Sequence, residues 1–154
     1  MPSSKRGVEK RATNAKRPAS RTRRKRILKS AKINRPVGWS SEAWSVTGPG
    51  RMIYTSGFTS RDITGGVVHA GDIRSQTRQV LENLKLVLAE DGATLADVIK
   101  VTIYLRSLSD FDGMHEVRKS YFPTNPPAAT TIIISSLADE RLLLEIEAIA
   151  FVSK

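Results

Sequence analysis

Cysteine is absent from the 154 residues. Disulfides, thiolate metal sites and cysteine nucleophiles are therefore excluded. Histidine occurs only at His69 and His115, far apart in the chain, and no metal-ligand spacing results. No apolar run reaches the roughly 18 residues that a membrane-spanning helix needs. The longest candidate, Leu142 to Val152, is broken by Glu145 and Glu147. No G-x-G-x-x-G or phosphate-loop string occurs, so nucleotide binding of those kinds has no support. Aromatic residues make up 6% of the chain and none lies in the first 35 residues, which leaves base stacking by that segment unsupported.

Acids are nearly missing from the same segment. Residues 1–35 hold 14 Lys and Arg against the single acid Glu9, a net +13. The remaining residues carry 11 Lys and Arg against 14 acids, a net −3. The overall charge of +10 thus belongs to an arm, and the body is slightly acidic. With only Met1, Val8, Ile27, Leu28, Ile33 and scattered alanines, residues 1–35 cannot bury enough apolar surface to offset the entropy of ordering them. The arm is expected to be disordered. Its plainest reading is a solvated tail with weak attraction to polyanions. Lys16-Arg17-Pro18, Arg21 and Arg23-Arg24-Lys25-Arg26 allow a second reading, salt-dependent contact with nucleic acid or nuclear import. A transit peptide ranks last because no amphipathic helix can be drawn. No apolar stretch follows the charges as a secretory signal requires, and a cytoplasmic location is expected.

The body reads as alternating strands and helices. Residues 42–47 and 51–55 flank Gly48-Pro49-Gly50 and are expected to pair as a hairpin. Residues 67–69 make a short strand. Asp72 caps a helix over residues 73–90, whose apolar stripe is Ile73, Thr77, Val80, Leu81, Leu84, Val87 and Leu88, and Gly92 suits the left-handed position that ends it. Residues 98–105 are rich in β-branched residues and form a strand. Ser109 caps a second helix over residues 110–122, with Phe111, Met114, Val117 and Tyr121 or Phe122 inward, stopped by Pro123, Pro126 and Pro127. Residues 128–135 and 142–152 supply the last strands. Strands interspersed with two helices give an α+β layer fold.

Five strings are more specific. Tyr54-Thr55-Ser56-Gly57, the helix segment from Gln79 to Leu84, the turn and strand from Gly92 to Leu105, Asn125-Pro126-Pro127-Ala128, and the closing segment from Leu144 to Ala150 occur in the order found in the RidA/YjgF family. Residues 41–152 resemble that family as a whole. The resemblance implies a chorismate-mutase-like α+β fold, with a mixed sheet carrying two helices on one face, assembled as a homotrimer. It also implies a ligand cleft between subunits. There, family members of the best-known branch hydrolyse reactive enamines and imines to keto acids and ammonia without metal or organic cofactor.

Carried over residue by residue, the resemblance makes Glu145 the carboxylate that positions water. Ser56 and Gly57 match the strand-ending element. Phe58 stands where a glutamine often follows, Trp44 matches the aromatic of the first strand, and His115 replaces an asparagine of the second helix. Ala129 and Thr130 follow the Pro-Ala pair. The departure at Ala129 matters most, because deaminating members place an arginine there. A guanidinium forks onto a carboxylate and a methyl group does not. Ordinary 2-imino acid deamination is therefore in doubt, and a neutral or differently charged metabolite fits better. Glu145 is otherwise simply a residue on the wet face of a strand, His115 a packing histidine and Trp44 an interface residue. A non-catalytic small-molecule-binding trimer, and a nucleic-acid-associated protein using its arm, are the competing functions.

Overall fold

The computed structural model describes residues 24–36 and 38–154. Most of the arm, including Lys16-Arg17-Pro18, lies outside them. The described elements are β1 (Arg24–Leu28), β2 (Ala43–Thr47), β3 (Gly50–Tyr54), α1 (Ile73–Ala89), β4 (Val98–Leu105), α2 (Phe111–Tyr121), β5 (Ala128–Ile133) and β6 (Leu144–Ser153), with 3-10 turns at Leu95–Asp97 and Leu108–Asp110.

Strands β3, β6, β4 and β5 form one mixed sheet in that order. β6 is antiparallel to both β3 and β4, while β5 runs parallel to β4. A parallel pair needs a crossover, and α2 supplies it. Alternation along β4 and β6 sends Val101, Ile103 and Leu105 with Leu144, Ile146, Ala148 and Ala150 to one face, where they meet Val80, Leu81, Leu84 and Leu88 of α1 and Met114 and Val117 of α2. This single layer of helices on one face of the sheet is the core. The other face carries Lys100, Thr102, Tyr104, Glu145 and Glu147, and among the described residues no helix lies over it.

Helix α1 starts as read. Asp72 accepts from the Ser75 backbone at 3.1 Å, and Gly92 takes φ +64° just beyond the end. Within it, Val87 is 42% exposed and lies off the stripe. Gln76, absent from the expected stripe, is fully buried and bonds the Arg141 carbonyl at 2.8 Å and the Leu143 amide at 2.9 Å, tying α1 to the start of β6. A polar side chain can sit in a core when both ends of its amide are used.

Four expectations are corrected. Residues 42–47 and 51–55 make no hairpin: β2 pairs with β1, and β3 pairs with β6. Residues 24–28, assigned to a disordered arm, are a strand, because β2 offers an edge and Lys25 anchors on the Ala96 carbonyl at 2.8 Å and Asp97 at 3.0 Å. Residues 67–69 contribute only an isolated bridge between Val67 and Arg61. Ser109 caps nothing; Ser107 accepts from the Ser109 backbone at 3.2 Å to start the preceding turn, and α2 follows from Asp110 without a side-chain cap.

Candidate functional site

The strand alternation that buries Leu144 and Ile146 turns Glu145 and Glu147 to the open face of the sheet. Opposite Glu145 in register stands Tyr104, and opposite Glu147 stands Thr102. The loop after β3 is stitched onto the same strand. The Thr55 amide donates to the Ala148 carbonyl at 3.0 Å, the Ala148 amide donates to Thr55 Oγ1 at 2.9 Å, and Phe58 and Ile146 exchange backbone bonds of 2.8 and 3.0 Å. Ser56 and Gly57 therefore arch against Glu145. A β-carbon on Gly57 would stand 2.6 Å from Glu145 Cδ and 2.8 Å from Cγ. Only glycine leaves room for this carboxylate.

Glu145 and Glu147 line a cavity of about 330 Å³ with Tyr104, Ile134, Ser136, Leu137 and Ala138. No Lys or Arg is among these residues. Tyr104 donates weakly to Glu147 at 3.4 Å. Burial first, then the charge of Glu147, raise the pKa of its phenol, which stays a donor at neutral pH. A smaller cavity of about 130 Å³ adjoins on the same face, where Glu147 meets Lys100, Tyr54 and Thr102. Burial lowers the Lys100 pKa, opposed by Glu147. Lys100 donates to Thr130 Oγ1 at 2.7 Å and to the Val101 carbonyl at 2.8 Å.

The expected site residues are only partly gathered here. Glu145, Gly57 and the adjoining Ser56 come together. Thr130 shares the open face but serves Lys100. Phe58 packs partly against the core and lines a separate groove of about 630 Å³ with Gln79 and Asn83. Trp44 lies on β2 and donates its indole N–H to the Pro126 carbonyl at 3.1 Å. Ala129 pairs with Val101 and packs toward the helices.

His115 sits on α2, on the far side of the sheet from Glu145, so the two form no acid–base pair within a chain. It stacks on Phe111 with centroids 5.5 Å apart, and its Nε2 accepts from the Trp39 amide at 3.2 Å. Burial lowers its pKa, and the charges of Arg118 and Lys119 add to the effect. Neither Arg118 nor Arg141 lines the Glu145 cavity to stand in for the arginine missing at position 129. Arg141 is paired with Asp139 at 2.7 Å, and Arg118 is buried under Trp39. Tyr104 and Lys100 escaped sequence reading. Alternation in residues 98–105 assigns them to the polar face, but only the β4–β6 register places them beside the two carboxylates.

Residues 33–152 match the family described as Endoribonuclease L-PSP. The match opens at residue 33, ahead of the boundary expected at 41. A RutC family protein of Pyrococcus abyssi is 40% identical over 127 residues, covering 82% of this chain and 97% of the relative. A 2-iminobutanoate/2-iminopropanoate deaminase of Dermatophagoides farinae is 31% identical over 83% of this chain and 97% of its own length. Among solved structures, the Rid family protein YyfB of Yersinia pestis superposes with a TM-score of 0.73 at 32% identity, covering 82% of this chain and 97% of that one.

Proposed function

This chain belongs to the RidA/YjgF family, the Endoribonuclease L-PSP group that includes the RutC proteins, and we propose that it binds and hydrolyses a small imine or enamine that carries no carboxylate. The observation that carries this reading is the pair Glu145 and Glu147 on the wall of one cavity whose lining includes no cation. Two carboxylates favour a protonated imine and repel an acid group. Glu145, fixed by the bare Gly57, takes a proton from water as the water oxygen bonds to the imine carbon. The proton passes to the nitrogen, and the carbinolamine collapses to a carbonyl and ammonia. Tyr104 supplies a hydrogen-bond donor to the nascent oxygen. The imine and one water are consumed, and a carbonyl compound and ammonia are released.

The chain assembles as a homotrimer in this reading. Support comes from the uncovered sheet face, where Met52 is 38%, Ile132 41% and Tyr54 71% exposed. Burying such residues between copies is favourable by about 25 cal/mol per Å². Sedimentation finding a lone chain at working concentration would remove this part. The exposed cations Arg26, Lys29 and Lys32 make weak, salt-sensitive contact with polyanions.

The test is a trapping assay. Imines are generated by an amine oxidase from neutral amines and, separately, by an amino-acid oxidase, and semicarbazone formation is followed. Acceleration of the neutral imines is expected, falling by about 10²–10⁴-fold in Glu145→Gln, with little on amino-acid imines. Full activity on amino-acid imines, or activity indifferent to Glu145→Gln, defeats the reading.

A further inference from the structure

Described residues between β1 and β2 line a further cavity, away from Glu145. It has a volume of about 360 Å³ and is lined by Lys29, Arg35, Trp39, Ser40, Ile27 and Pro126, among others. Trp39 is held firmly at its wall: the indole N–H donates to the Phe122 carbonyl at 2.6 Å. Ser41 fastens the same wall to the Pro126 carbonyl at 2.5 Å.

The charge around this cavity is predominantly positive. Among the described residues, neither the Lys29 ammonium nor the Arg35 guanidinium is paired with an acid. Glu42, the one acid in the lining, is already engaged by the Ser30 amide at 2.7 Å. Lys119 lies over the Trp39 ring at 5.2 Å. Behind the wall is Arg118, 3% exposed, whose Nε and Nη1 find no hydrogen-bond partner among the described residues. Arg118 bonds the backbone of Trp39, which with Gly38 lines the cavity. The Trp39 carbonyl accepts from Arg118 Nη2 at 2.8 Å, and a β-carbon on Gly38 would stand 3.0 Å from the His115 ring. Burial lowers the Arg118 pKa to about 10, so it remains charged at neutral pH. An uncompensated cation in a poorly screened interior projects its field farther than one in water.

The two lining cations, with Lys119 and Arg118 beyond the wall, outweigh the single lining acid and select an anion. The apolar surfaces of Ile27, Pro36, Trp39 and Pro126 select a carbon body beside it. We propose that this cavity binds a small molecule with a phosphate group at one end and an apolar body, the phosphate lying between Lys29, Arg35 and the Ser40 hydroxyl. Lys and Arg suit phosphate as point charge and fork respectively. Arg118 acts at one remove, through the field it sets up behind the wall. The site is independent of the imine chemistry at Glu145.

Calorimetric titration of the full chain with phenyl phosphate, inorganic phosphate and phenol tests the proposal. Phenyl phosphate is expected to bind most tightly, since it alone has both parts. The double variant Lys29→Ala, Arg35→Ala should weaken it by about tenfold or more, with the thermal midpoint unchanged because both side chains are exposed or half-exposed. Arg118→Gln should weaken it by a smaller factor. If Arg118→Gln fails to fold, the Lys29 and Arg35 variant decides alone. Three results would overturn the site: no saturable binding of phenyl phosphate up to about 10 mM, equal affinity in the double variant, or equal affinity for inorganic phosphate, which would mark general attraction to a basic arm.

Discussion

The two faces of the four-stranded sheet are made by the same strands yet follow different rules. On the helix side, β4 and β6 present Val101, Ile103, Leu144 and Ile146, all essentially unexposed. On the open side, one residue along in each strand, stand Lys100, Tyr104, Glu145 and Glu147. The first face is organised by exclusion of water and tolerates no gap. The second keeps polar groups half-exposed and in each other's reach. A strand of alternating character can thus serve stability with one half of its residues and chemistry with the other.

Substitutions on each face should separate these roles. Leu144→Ala is expected to cost about 2–5 kcal/mol in urea unfolding, while the surviving folded fraction keeps the imine hydrolysis proposed above. A specific loss of activity at full stability would break the division. Gly57→Ala tests the boundary between the faces. The added methyl overlaps Glu145, so stability should fall by about 1–3 kcal/mol and the rate by about 100-fold through displacement of the carboxylate. Tyr104→Phe should alter stability by less than about 1 kcal/mol, because the bond to Glu147 is long at 3.4 Å. Its effect belongs in kcat, and a large loss of stability would show the open face to be structural after all.

The smallest effect concerns pH. Burial, with Arg118 and Lys119 beyond it, depresses the His115 pKa. The unfolded chain then takes a proton that the folded one refuses. Stability present above the ordinary histidine value should decline as pH falls through that value and level off below the depressed one. Urea midpoints between about pH 7 and pH 5 check this, with His115→Gln expected to flatten the decline.

Most of the body was legible because its signals are local. Asp72, the α1 stripe and Gly92 mark a helix whatever it packs on, and the β-branched run at 98–105 marks a strand. The family strings ordered these pieces and singled out Glu145 and Gly57. Partners across the sheet were not legible. Gly48-Pro49-Gly50 has the composition of a hairpin turn, yet tertiary pairing drew its two flanking strands into different sheets. Residues 24–28 look like tail by composition and become a strand only because β2 leaves an edge open. His115 and Glu145 could be imagined together in one dimension; the sheet between them decides otherwise. The role of Ala129 likewise depended on which side of β5 it faces, and that followed from its register with Val101.

The central position of β6 has a consequence for the order of events in the making of this protein. β3 pairs with it from Gly50 opposite Ser153 to Tyr54 opposite Ile149, and β4 pairs along its other edge. The sheet cannot close until residues 144–153 have left the ribosome, although both of its partners emerge long before. Until then β3 and β4 wait with unpaired edges and α1 with an uncovered stripe. Long-range closure of this kind slows folding toward the millisecond-to-second range and leaves the nascent chain dependent on protection from aggregation. A chain stalled short of β6 would hold β4 with β5 as its one neighbour in this sheet and β3 with none.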